Sequence, residues 1–115
     1  MERRRLTKKL TEWAKNEKDF TAVRIKGGSM EPCIPEGCLV GIDHSQKDPK
    51  SLNGKIVAIR KGNEATIKRL RIIGKDVMIG QPDNPDWAHE TLVLKGKEMN
   101  DAIIGKVVCW WGRQE

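Results

Sequence analysis

From residue 20 to residue 111 the apolar residues fall in short runs, and turn residues interrupt every one of them. Val23 and Ile25 alternate with Arg24 and Lys26 and run into Gly27-Gly28. "LVGI" (39–42) is a second run, and "KIVAIR" (55–60) is a third, entered through the turn signal Asn53-Gly54. Lys61-Gly62-Asn63-Glu64 reads as a hairpin turn into "ATIKRLRI", and "GKDVMIG" predicts another hairpin around Gly74. "ETLVL" and "AIIGKVVCWW" complete the series. Runs of this length and spacing suit strands and not helices, so the chain is predicted to be mostly β. The expected architecture is a small antiparallel barrel or sandwich-like domain of six or seven strands. "QPDNPDW" holds two prolines and two aspartates in seven residues and is predicted to be a loop.

The first 19 residues differ from the rest. Leu6, Leu10, Trp13 and Ala14 lie at i, i+4, i+7 and i+8 among charged residues, which predicts one amphipathic helix over roughly 4–17. This segment holds seven Lys/Arg against four Asp/Glu, half of the net charge of +6 in one sixth of the chain. The reading is therefore a basic helical or linker segment, 1–19, followed by one domain, 20–115. A chain of 115 residues suffices for one modest core. A basic tail can touch nucleic acid through phosphate, but one Phe and no Tyr provide little to stack bases on.

Composition narrows the function further. Hydrophobic residues at 37% and charged residues at 33% describe a globular chain and not a disordered one. No apolar run approaches the roughly 18–20 residues of a membrane span. The basic N-terminus has no apolar stretch behind it, so a secretory signal is not expected and the cytoplasm is. Cys33, Cys38 and Cys109 are odd in number and lack CxxC spacing, and His44 and His89 stand alone. Free thiols in a reducing compartment are expected, with no metal site and no cofactor.

One segment is over-specified for a connection. "KGGSMEPCIPEGCLV" places two glycines before Ser29 and two prolines after it. Pro32 biases Glu31 away from helix, Pro35 stiffens the next turn, and Gly37 permits a positive φ. The glycines also bare backbone N–H groups beside a hydroxyl, as an oxyanion hole requires. A serine nucleophile needs a base, and neither histidine has any signal placing it near Ser29. Most lysines sit in turns or polar stretches, but Lys68 lies inside the apolar-rich "EATIKRLRII", on the strand face it shares with Thr66 and Leu70. Burial there would lower its pKa toward that of a base. The pattern alone equally allows Lys68 to face solvent while Ile67 packs inward.

Four motifs in order carry a resemblance: "GGSMEPCIPEGCLVGID", "NGKIVAIRKGNEATIKRL", "QPDNPDW" and "IIGKVV". Together they resemble the LexA/UmuD/phage-repressor family of serine peptidases over about residues 20–111. The first motif is also similar to one in signal peptidase I, whose members are membrane-anchored. The resemblance implies a serine–lysine dyad on a β domain, with Ser29 as nucleophile and Lys68 as neutral general base. It implies that the N–H groups of Gly28 and Ser29 line an oxyanion site, that Met30 and Pro32 shape the nucleophile turn, and that Asn84 and Pro85 belong to a structural loop. It further implies a homodimer paired through C-terminal strands, a peptide substrate in cis or in trans, and triggering by a recombinase filament in an SOS-type response. DNA would be bound indirectly, through a separate domain.

The chain departs from that pattern in two respects. It has no helix-turn-helix segment, and neither Ala-Gly nor Cys-Gly, the dipeptides such proteins cut in themselves, occurs in it. The leading expectation is an endopeptidase-type domain whose own cleavage site is absent. The alternative is a non-cleaving dimerisation and regulatory module of a phage-type repressor, with Trp110 and Trp111 at the interface. A third is nucleic-acid binding through residues 1–18.

Overall fold

A computed structural model describes residues 2–4 and 19–112. The strands are β1 (Glu2–Arg4), β2 (Phe20–Arg24), β3 (Leu39–Asp43), β4 (Ile56–Lys61), β5 (Glu64–Ile72), β6 (Val77–Gln81), β7 (Leu92–Lys95) and β8 (Ile103–Trp111). They form one antiparallel sheet in the order β1-β2-β3-β8-β4-β5-β6-β7. The fold is mostly β, as the apolar runs predict, and every strand from β2 to β8 falls on a predicted run. The predicted helix over 4–17 lies outside the described residues except at Arg4, which is in β1 and pairs with Ala22. One short helix that the sequence pattern did not suggest, α1 (Pro49–Leu52), is capped by the Asp48 side chain, which accepts from the Lys50 N–H.

Local chemistry closes the hairpins where it was expected to. Asn53 accepts the Ile72 N–H through its side chain and ties the turn before β4 to the end of β5. β4 and β5 then pair from Ile56↔Arg69 to Lys61↔Glu64, leaving Gly62-Asn63 as a two-residue turn. The long β5 pairs with β4 along one edge and with β6 along the other.

The sheet buries both of its faces. One apolar cluster joins Val23, Ile25, Met30, Ile34, Cys38, Val40, Ile42, Ile56, Ala58, Ile67 and Val107. A second joins Leu52, Val57, Ile59, Leu70, Met78, Leu94, Ala102 and Ile103. Alternate residues of β4 and β5 feed the two clusters in turn, so Ile67 is buried on one face and Leu70 on the other. The cysteines are free, with Cys38 buried and Cys33 and Cys109 half-buried.

β8 is not an edge strand over its first half. Ile103, Gly105 and Lys106 pair with β4, and Lys106, Val107, Cys109, Trp110 and Trp111 pair with β3. Only the end of β8 beyond Lys106 lacks a second neighbouring strand among the described residues. The stretch of β8 free for the expected pairing of C-terminal strands therefore shrinks, among the described residues, to that end, where Trp110 is 39% exposed and Trp111 is half-buried.

Candidate functional site: a buried serine–lysine pair

The turn that carries Ser29 is built by backbone bonds at both ends. The Ile25 N–H donates to the Cys38 carbonyl and the Gly37 N–H to the Ile25 carbonyl, closing residues 25–38 into a loop. Within it the Glu31 N–H donates to the Gly28 carbonyl and the Ile34 N–H to the Met30 carbonyl. Met30 and Ile34, both fully buried, plug the turn into the first apolar cluster. Pro32 is exposed, so it shapes the turn through its backbone and not through packing. Gly27 has φ +83°, and a Cβ there would lie 3.3 Å from the Trp87 ring. The positive φ favours glycine there, and the ring leaves little room for a side chain.

A second segment clamps this turn from outside. The Asn84 N–H donates to the Ser29 carbonyl at 2.9 Å, and the Asn84 side-chain amide donates to the Gly28 carbonyl at 2.9 Å. The Asn84 side-chain oxygen accepts the Asp86 N–H and starts a 3-10 turn, Pro85–Glu90. Arg69 anchors the approach to Asn84 with two 2.8 Å bonds to the Asp83 carboxylate. That carboxylate raises the pKa of the guanidinium still further above its already high value.

Lys68 reaches the turn from β5. Its side chain is fully buried, and Nζ lies 3.3 Å from Ser29 Oγ. Nζ also lies 3.1 Å from Thr66 Oγ1 and 3.3 Å from the Ile67 carbonyl. The Glu90 carboxylate stands 3.7 Å away, at ion-pair distance. Desolvation pushes the Lys68 pKa below its usual value, and Glu90 opposes that by favouring the ammonium. Among the described residues, Lys68 makes the one side-chain hydrogen bond to Ser29 Oγ. A cavity of about 30 Å³ opens beside Ser29, lined by Ile25, Lys26, Thr66 and Ile67.

Neither histidine joins the serine. The His44 ring bonds Thr21 Oγ1 at 2.8 Å and the Ile104 carbonyl at 3.0 Å. His89 stacks on Trp87 with ring centroids 5.9 Å apart. The structure thus brings Ser29, Gly28, Met30, Asn84 and Lys68 together. The choice between Lys68 and Ile67 as the inward residue disappears, because both faces of β5 are covered. Three neighbours of the pair were not singled out as site residues. Thr66 shares the Lys68 face of β5, so its contact follows from strand period. Trp87 and Glu90 arrive through a loop fold that no local pattern encodes.

The domain thus carries a buried serine–lysine pair on a mostly β sheet. The Peptidase S24-like family matches residues 2–108, and the chain belongs to that family. It is 38% identical over 97 residues to the LexA repressor of Clostridium tetani (strain Massachusetts / E88). That match covers 84% of this chain and 44% of the repressor, so the chain spans less than half the length of that relative.

Proposed function

We propose that the domain is a serine endopeptidase in which Ser29 is the nucleophile and Lys68 the general base. The observation that supports this best is a fully buried lysine amine 3.3 Å from a serine hydroxyl held in a stiff turn. As an ammonium, Nζ donates to Ser29 Oγ, Thr66 Oγ1 and the Ile67 carbonyl. Loss of one proton frees a lone pair that accepts from the serine hydroxyl instead. Ser29 Oγ then bonds to the peptide carbonyl carbon while its proton passes to Lys68. The carbonyl oxygen becomes an oxyanion facing the N–H groups of Gly28 and Ser29, which have no hydrogen-bond partner among the described residues. The Lys68 ammonium returns its proton to the leaving amine as the C–N bond breaks. The neutral Lys68 amine then takes a proton from water, whose oxygen bonds to the acyl carbon, and the acyl–Oγ bond breaks as Lys68 returns that proton to Ser29.

Incubation with a library of short peptides, read by mass spectrometry, tests this reading. Cleavage should vanish in Ser29→Ala and in Lys68→Ala, with loss of at least about a hundredfold expected for a missing general base. Undiminished cleavage by either variant rules out the dyad.

A second reading rests on the exposed end of β8. Trp110, partly exposed on a strand end with one neighbouring strand, suits pairing with a second copy of the chain. On this reading the domain serves self-association in a regulatory protein.

A further inference from the structure

We propose that Glu90 is the positioning residue of the dyad, a carboxylate that holds the Lys68 side chain in its charged, resting state until a peptide enters the cleft. The proposal rests on the serine–lysine reading and extends it to how the amine is released. Three observations carry it. Glu90 Oε1 stands 3.7 Å from Lys68 Nζ. Its side chain is 42% exposed while that of Lys68 is 0% exposed, so the pair has one fixed member and one that can leave. Glu90 also closes the 3-10 turn that begins at Asn84, the residue bonded to the Gly28 and Ser29 backbone.

The remaining surroundings of Lys68 offer no competing charge at that distance among the described residues. β4 presents Val57 and Ile59, and β6 presents Gly80. β5 presents Thr66, while its Arg69 is engaged by Asp83. From the 85–90 turn, His89 is stacked on Trp87. Lys26 lines the cavity beside Ser29. Desolvation lowers the affinity of Lys68 for its proton and Glu90 raises it. A bound peptide that pushes Glu90 aside would remove the second effect and leave the first. The same contact that makes the cleft occupied would then make the base competent.

Heteronuclear NMR of the Lys68 side-chain amine, its signal assigned by its absence in Lys68→Met, measures this without requiring activity. The titration midpoint should fall by about one pH unit in Glu90→Gln, giving about tenfold more neutral amine at a fixed pH. Glu90→Asp, too short to hold the same distance but still charged, should fall between. Equal midpoints in wild type and Glu90→Gln would overturn the proposal. Acylation of Ser29 by a fluorophosphonate probe, followed in parallel, separates the two ideas. No acylation of wild type at any pH counts against the dyad, whereas the midpoints still report on Glu90. If the dyad is active, Glu90→Gln should shift the acylation profile by the same interval to lower pH.

Discussion

At the scale of single residues the costliest feature is Lys68. A lysine with no exposed surface sits beside Val57, Ile59 and Leu70, and among the described residues its counter-charge is the half-exposed Glu90. The unfolded chain keeps this proton to about its ordinary value of 10.5, whereas burial makes the folded chain release it at lower pH. Below the folded midpoint the buried ammonium is present and its cost is felt in full. Between that midpoint and 10.5 the unfolded chain binds more protons, so stability rises with pH. Lys68→Met, similar in volume and apolar, should therefore be more stable than wild type near neutral pH by about 1–3 kcal/mol. The gap should narrow toward about pH 10 as wild type loses the charge. Urea denaturation at the two pH values checks this, and a Met variant less stable at both would mean that Lys68 carries no desolvation cost. The residue was visible in the sequence, but its burial was not. A period of two shows which side chains share a face, not whether the opposite face is also covered.

At the scale of elements the site depends on two loops gripping each other. Asn84 joins them with a side-chain bond to the Gly28 carbonyl and a cap on the Pro85–Glu90 turn. Asn84→Ala should cost about 1–2 kcal/mol. It should slow Ser29 acylation more than that loss of stability explains, as measured by acylation at a temperature where both proteins are fully folded. A second constraint lies where β3 meets β8. A Cβ on Gly105 would stand 2.6 Å from the Asp43 carbonyl oxygen, in backbone that has no room to move. Gly105→Ala should therefore destabilise by about 2–3 kcal/mol, read as a lowered thermal midpoint. The strands were legible because alternation and glycine turns are local signals. The insertion of β8 between β3 and β4 was not, since strand order is decided by which faces find cover. Glu90 escaped for the same reason: its partner is twenty-two positions earlier in sequence, across a loop whose path no residue pattern specifies.

At the scale of the whole molecule one curled sheet with a cluster on each face lets a β5 lysine meet a serine thirty-nine residues earlier in the chain. Among the described residues the end of β8 has one neighbouring strand, and the self-association reading predicts a dimer at micromolar concentration that Trp110→Glu converts to monomer in sedimentation. A wild-type monomer under the same conditions would remove that reading. The peptidase reading faces a sharper test, the pH dependence of Ser29 acylation. Wild type should follow a single ionisation with its midpoint below 10.5, the ordinary value for lysine, and Lys68→Met should not be acylated at any pH. Acylation of Lys68→Met at the wild-type rate, or a wild-type rate that climbs with hydroxide and never levels, would contradict the central claim that a buried, neutral Lys68 activates Ser29.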